Sequence, residues 1–323
     1  MLNYEKSGVN IEKANKLTNI LKTTLENKNI GSFAGIYEHP SMPDRYFAAA
    51  TDGIGSKIIP LIDYNKPEII ANDLIAMNLN DLACIGASPM FFLDYIATSK
   101  LDVEFTAKVI EYLQNKLKKY NTILLGGETS ELKDLIKSKY FDIAGFIAGF
   151  VEKDKILKKE NVKNEDIIIG LASNGIHSNG FTLIRKLFEQ KYLTEEEFKD
   201  TLKPTHIYFD KTEILCYKKL IKICANITGG GIKDNITRVI PDNLCAEIDL
   251  GKIPIQPIFE KLKTLIGEEE AYNTFNMGVG FCIITSPQNA EKVKDICKKY
   301  NPFELGVIKK NDKNCNICFR QRI

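Results

Sequence analysis

Residues 46–98 read YFAAATDGIGSKIIPLIDYNKPEIIANDLIAMNLNDLACIGASPMFFLDYIAT. An apolar run ends on an aspartate and two closely spaced glycines, a long helical pattern follows, and a second apolar run closes the stretch. The pattern predicts a strand over Tyr46–Thr51, a helix over Pro67–Ile85 and a strand over Met90–Ile96, which is an α/β rhythm. Four aspartates, Asp52, Asp73, Asp81 and Asp94, recur among these apolar or small residues. Ionised Asp is almost never buried without a partner, and hard cations such as Mg2+ take carboxylate oxygen while leaving positions for water and nucleotide phosphates. A metal and nucleotide site is therefore the first expectation.

Outward from this stretch the alternation continues. Val103–Lys119 is expected as a helix, with Phe105, Val109, Tyr112, Leu113 and Leu117 on one side and Lys108, Glu111, Lys116 and Lys118 on the other. Strands are expected at Thr122–Leu125 and Ile143–Val151. The lysine- and glutamate-rich stretch Glu152–Asp166 then marks a boundary between two domains, 1–155 and 163–323. The second half restarts with a strand at Ile167–Ala172 and a helix at Phe181–Gln190, and a long helix is expected near Thr205. Strands at Cys245–Ile248, Val279–Thr285 and Phe303–Ile308 and a helix at Gln288–Tyr300 complete the expectation: an α/β fold with mixed sheets flanked by helices.

The 323 residues are 44% hydrophobic and 27% charged, with a net charge of +2. That length suits two cores, and so small a charge gives no basic field to attract nucleic acid or anionic lipid. No apolar run reaches the roughly 18 residues that span a bilayer, and Met1–Asn10 lacks an apolar centre, so neither a membrane nor an export signal is expected. Eight cysteines are too dilute for a disulfide framework, and reduced thiols suit a cytoplasmic protein. Cys315 and Cys318 form a C-x-x-C without a second pair to complete a zinc set.

No G-x-x-x-x-G-K-[ST] loop exists, and no G-x-G-x-x-G opens a helix after a strand. A bound nucleotide would have to be held by carboxylates through Mg2+, with glycine loops presenting backbone N–H groups. Asp52 sits at a strand end before Gly53, Gly55 and Ser56, where α/β proteins place ligands. Asp73 and Asp81 lie about 80° apart on one helix, so both can border one cleft, and Asp94 lies on the neighbouring strand. Any single aspartate reads better as a turn former or a solvent-facing residue; their joint recurrence favours ligation. Lys57 can neutralise phosphate oxygens. Glu128, between Gly127 and Thr129, is expected at a second strand exit, where paired glycines allow close approach. Gly175–Gly180 joins a strand to a helix, making Ser178, Asn179 and Gly180 an anion loop; His177, though a lone histidine is more often structural, is there a candidate phosphate ligand or proton carrier. Thr228, Gly229, Gly230 and Gly231 repeat that logic before another helix.

Taken in order, these words resemble the AIR synthetase (phosphoribosylformylglycinamidine cyclo-ligase) family. The resemblance begins with YEKSGVNIEKAN at Tyr4–Asn15 and runs through the aspartate words, GGET (Gly126–Thr129), DIAGF (Asp142–Phe146) and GIHSNGF (Gly175–Phe181). It continues through PTHIY (Pro204–Tyr208) and TGGG (Thr228–Gly231) to TFNMGVG (Thr274–Gly280). It implies ATP-dependent closure of formylglycinamidine ribonucleotide (FGAM) to 5-aminoimidazole ribonucleotide (AIR) in purine synthesis, and a Mg-ATP site built on acidic residues, here Asp52, Asp73 and Asp94 as metal ligands with Asp81 and Glu128 nearby. It also implies catalytic roles for Lys57 and His177, a substrate site formed largely by the second domain, and a homodimer whose amino-terminal sheets join in a barrel. Three departures stand out: LKDLI at Leu132–Ile136 replaces the loop usual after GGET and could extend as helix, the loop Gly31–Gly35 is short, and His206 replaces an arginine. The same architecture serves sister enzymes such as selenide water dikinase and thiamine monophosphate kinase. A non-catalytic ATP-binding regulator is the alternative from another class.

Overall fold

The computed structural model describes residues 32–137, 139–311 and 315–320, together with residues 16, 17, 20, 21 and 24. The word at Tyr4–Asn15 and the first residue of the loop Gly31–Gly35 lie outside the described residues. Two mixed sheets organise the rest. The first comprises β1 (Gly35–Glu38), β2 (Arg45–Gly53), β3 (Ser88–Thr98), β4 (Ile123–Glu131) and β5 (Phe141–Glu152) in the order β1-β2-β5-β3-β4. All neighbours are antiparallel except β3 and β4. Helices α1 (Ile58–Asp63), α2 (Pro67–Cys84) and α3 (Val103–Leu117) belong to the same half.

The second half threads β6 (Ile167–Ala172), α4 (Phe181–Glu189), α5 (Glu195–Thr201), α6 (Phe209–Tyr217), β7 (Ile223–Asn226), α7 (Gly231–Thr237) and β8 (Leu244–Asp249). It continues with α8 (Pro257–Ile266), α9 (Glu268–Thr274), β9 (Val279–Thr285), α10 (Ala290–Ile296), β10 (Phe303–Lys310) and β11 (Ile317–Arg320). The sheet order is β11-β8-β10-β6-β9-β7, antiparallel throughout except for β11 beside β8. No helix among the described residues is long and apolar enough to cross a membrane.

Helix α2 holds the two halves to one core. Fifteen of its 18 residues are buried, because one side packs on β2 and β5 while others meet α3, β7 and α6. A helix covered on nearly every side must be apolar almost all round, and beyond the exposed Glu68 of its first turn α2 departs from that rule at Asn72, Asp73, Asn78, Asn80 and Asp81. Each of these makes a hydrogen bond to a neighbouring element, described below.

Most expected elements form with shifted ends, and three expectations need correction. The strand expected to stop at Leu125 runs on to Glu131, because β3 offers it a parallel partner as far as Thr98. Leu132–Ile136 does not continue as helix; it folds as a turn in which the Leu132 N–H donates to the Thr98 carbonyl. Near Thr205 the chain is extended, and α6 begins at Phe209. There α2 supplies side-chain partners for the backbone of the 203–208 segment, and backbone bonded in that way has no need to coil.

Candidate active site

Lys57 and Asp73 are fully buried and face each other, Nζ to Oδ2, at 2.6 Å. The ammonium also donates to the Lys203 carbonyl at 2.7 Å and lies 5.3 Å from the Phe181 ring centroid. Asp73 in turn accepts from the Thr205 N–H at 2.7 Å, from Asn72 Nδ2 at 3.1 Å and from the Ser178 hydroxyl at 3.3 Å. Burial lowers the pKa of the Lys57 amine, and Asp73 opposes that shift. The sequence reading put Lys57 on phosphate and Asp73 on metal; the structure joins them to each other and to the 203–205 backbone. Nearby, Asn72 donates to the Thr205 carbonyl, and Asn80 bonds both the His206 carbonyl and the Tyr208 N–H.

A cleft of about 420 Å³ opens beside this clamp. Asp52, Gly53, Ile54, Gly55, Ser56, Met77, Asp142 and Ala144 line it from the first half, and Ser178, Asn179, Gly180, Phe181, Thr182 and Thr228 from the second. The two loops read from the sequence, at the end of β2 and before α4, thus meet in one cavity. They touch directly where the Thr182 hydroxyl donates to Ser56 Oγ at 2.9 Å. Gly180 is required at the start of α4, since its φ is +81° and a Cβ there would fall 2.2 Å from Phe275 Cε1. The Thr228–Gly231 loop is tied down by Asn235, whose Nδ2 donates to the carbonyls of Thr228, Gly229 and Gly231.

Three aspartates of the first half, of which only Asp52 lines the cleft, are desolvated. Asp52 is fixed at the strand end by Asn78, which accepts from its N–H at 3.0 Å and donates to its carbonyl at 3.1 Å, while Asp52 Oδ1 accepts the Gly53 N–H at 2.8 Å. Burial raises the Asp52 pKa. Asp81 accepts from Asn226 Nδ2 at 2.8 Å and is pushed up to about 8, by burial first and the Asp52 charge as a lesser cause, against opposition from Asn226 and Arg238. Asp94 shares a row of the first sheet with Asp52, each opposite Gly145 on β5, and burial lifts it to about 6. In all three, desolvation is the largest cause and raises the pKa.

Other expectations fall away from the cleft. Glu128 lies within β4 opposite the exposed Tyr95, bonded to Ser130, on the sheet face turned from α2. Gly127 makes room for protein rather than ligand: a Cβ there would sit 2.5 Å from Asp94 Oδ1. Thr129 is likewise a residue of β4, opposite Ile96. His177 is 5% exposed, its ring centroid 6.1 Å from that of His206 and 6.4 Å from that of Tyr208. Burial first, then His206 and Lys57, hold its pKa well below the usual imidazole value, so it is a neutral interior residue and does not line the cleft. Asp142, at the start of β5, does line it and was missed as a site residue. Its signal was the acidic opening of the DIAGF word. Among the described residues no three His, Cys, Asp or Glu side chains form a group that could hold a metal ion by themselves.

Residues 31–151 match the amino-terminal domain of AIR synthase related proteins, and residues 163–314 match their carboxy-terminal domain. The chain belongs to this family. In particular, it is 38% identical over 330 residues to a phosphoribosylformylglycinamidine cyclo-ligase of Clostridium botulinum (strain Loch Maree / Type A3), covering 98% of this chain and 100% of that one. It is 36% identical over 334 residues to the enzyme of that name from Prochlorococcus marinus (strain MIT 9215), covering 96% of each. Among solved structures the fold is similar to a chain of a HypE–HypF complex (TM-score 0.71, 14% identity, covering 94% of this chain and 95% of that one). It is also similar to thiamine monophosphate kinase from Aquifex aeolicus (TM-score 0.65, 18% identity, covering 95% and 98%).

Two predictions follow from the geometry. Breaking the Lys57–Asp73 pair from either side, by Lys57→Met or Asp73→Leu, is expected to cost about 3–5 kcal/mol in urea unfolding because one buried charge is left alone. The double variant is expected to cost less than the sum, and additive losses would show that the charges act independently. The second concerns pH. Because the folded pKa of Asp81 is raised from 3.8 to about 8, its contribution is full below the unfolded value and is lost as pH rises through 8. Metal-free protein should therefore lose thermal stability across that window, and Asp81→Asn should flatten the decline. An unchanged slope would remove Asp81 from the account.

Proposed function

We propose that this chain is an ATP-dependent cyclo-ligase that converts FGAM to AIR with release of ADP and phosphate, in purine biosynthesis. Identity of 36–38% across essentially the whole chain to curated cyclo-ligases carries this reading, and the two-sided cleft supports it. A cytoplasmic setting fits eight cysteines that are all unpaired.

Losing an amide oxygen is the difficulty, since it is a very poor leaving group. Transfer of the ATP γ-phosphoryl to the formyl oxygen makes it a phosphate, the amidine nitrogen attacks the activated carbon, and phosphate departs as the ring closes. Such transfer depends chiefly on positioning and charge neutralisation. Bound Mg2+ would supply the neutralisation. The fit of the site rests on its donor set: Asp52 and Asp142 line the cleft, and Asp52, Asp81 and Asp94 are carboxylates whose raised pKa values a cation would reverse. Mg2+ commonly takes one or two carboxylates and completes its shell with phosphate and water, so Asp52 and Asp142 suffice as its protein ligands. The backbone of Gly53–Ser56 and the start of α4 at Ser178–Gly180 offer N–H groups for phosphate. We assign nucleotide binding to residues 1–155 and the substrate to 163–323.

The same half is proposed to form the homodimer. On the face of the first sheet turned away from α2, strand register brings Phe47, Leu93, Tyr95, Phe146 and Phe150 together, all at least partly exposed. An apolar sheet face of that extent calls for cover, and a second copy joining sheet to sheet would supply it.

The test of activity is incubation of purified protein with Mg-ATP, with and without FGAM, following ADP and the aminoimidazole product together. Equal yields of the two are expected. ADP formed with thiamine monophosphate and not with FGAM would replace the cyclo-ligase by the sister kinase, and ATP binding without turnover would leave a regulator. Asp52→Asn and Asp142→Asn should each lower kcat on the order of 100- to 1000-fold, the scale of losing one group that stabilises transition-state charge, with melting temperature little changed. Near-normal rates in both would withdraw the metal assignment. In sedimentation at micromolar concentration the protein should run as a dimer, and Tyr95→Glu should shift it toward monomer; a monomeric parent protein would remove the interface.

A further inference from the structure

Three of the eight cysteines meet at one edge of the second sheet, in a place the cyclo-ligase reading does not use. β11 lies parallel to β8 with Ile317 opposite Ala246 and Cys318 opposite Glu247. One diagonal step away, the Cys318 sulfur is 3.6 Å from that of Cys245. Cys245 is buried in β8, Cys318 is half-buried and Cys315 is exposed. The third thiol is turned elsewhere: Cys315 Sγ donates to the Ile317 carbonyl at 2.7 Å. An opening of about 320 Å³, lined by Cys245, Cys318, Glu247, Lys309, Lys310 and Asn311 among others, connects the pair to solvent.

Sulfurs in van der Waals contact need to approach by only about 1.5 Å to reach bonding distance. Cys318 has the freedom to do so, standing partly in solvent on a four-residue strand at the sheet edge that is hydrogen-bonded on one side only. Burial and the neighbouring Cys318 raise the pKa of the Cys245 thiol to about 12. The accessible Cys318 is accordingly the one to react first with an oxidant, and Cys245 the one to resolve it.

We propose that Cys245 and Cys318 are a reversible oxidation site, bridged through oxidation by hydrogen peroxide and reopened by a small thiol. In the forward direction the Cys318 sulfur attacks the peroxide O–O bond, giving a sulfenic acid and one water. The Cys245 sulfur then attacks Cys318, the S–O bond breaks, and the hydroxyl leaves as a second water with the proton from Cys245. Two thiols have given up two electrons and the peroxide has taken them. Two equivalents of external thiol restore the pair by exchange. The bridge would tie β11 to β8, and β11 packs against α7, the helix that follows the Thr228–Gly231 loop of the cleft.

The experiment uses the full native chain, reduced, freed of reductant and exposed to one equivalent of hydrogen peroxide, then alkylated, counted for free thiols and mapped by peptide mass. Loss of two of the eight thiols is expected, with a linked Cys245–Cys318 peptide and full recovery in dithiothreitol. Cys318→Ser and Cys318→Ala, whose folding is checked by melting temperature, should lose no pair, whereas Cys315→Ser should still lose one. A bridge mapped to Cys315–Cys318, a sulfinic acid on Cys318 without a bridge, or an unchanged thiol count would each overturn the proposal.

Discussion

The Lys57–Asp73 pair is the constraint around which the molecule is arranged. Two full charges lie at zero exposure inside a helix-packed core, and that is stable only when geometry and further hydrogen bonds offset the desolvation. The offset comes from both halves: Asp73 takes the Thr205 N–H and the Ser178 hydroxyl, while Lys57 reaches the Lys203 carbonyl. Apolar packing would let the second half slide along α2 with modest loss. A buried charge with directional partners does not, so the pair sets the register at which the loop after β2 faces the loop before α4.

Once that register is set, the chemistry of the cleft follows from what is missing there. The lysine that could have neutralised phosphate is already committed, and the cleft wall carries Asp52 and Asp142 without a lysine or arginine among its lining residues. On the cyclo-ligase reading proposed above, a nucleotide arriving with a divalent cation would meet these carboxylates with its own charge offset, and the cation would counter the desolvation that raises the Asp52 pKa.

The fold class was legible because its signals are local. Apolar runs marked β2, β3 and β5, and the 3.6-residue pattern marked α3. The loops at Asp52–Ser56 and Ser178–Gly180 could be placed from the strands and helices that flank them. What stayed hidden depends on partners distant in sequence. Nothing near Lys57 announces that Asp73 and Lys203 will enclose it, so a lysine after a glycine loop read as a phosphate ligand. The paired glycines before Glu128 read as room for a ligand or backbone to approach, whereas at Gly127 it is the Asp94 side chain on the adjacent strand that takes the space. His177 read as catalytic from its loop, and only the packing of His206 and Tyr208 shows it to be interior. β11 and its thiol contact could not be seen either, since a four-residue parallel edge strand has too little pattern of its own.

The same clamp limits how the cleft can move. Rotation of the halves about α2 would have to break the bonds from Asp73 to Ser178 and Thr205, from Asn72 to Thr205 and from Asn80 to His206 and Tyr208. Each buried group left unpaired costs about 1–3 kcal/mol, and they would be lost together. Adjustment to a ligand therefore belongs to the cleft's loops. Gly55 is an open point in the loop after β2, as Gly175 is in the other: its φ is +66°, and nothing lies within 4 Å of where a Cβ would stand. The loop from Gly53 to Ser56 can change shape at that residue while Asn78 keeps the preceding Asp52 backbone fixed, which lets the wall nearest the carboxylates yield without disturbing the pair on which the halves depend.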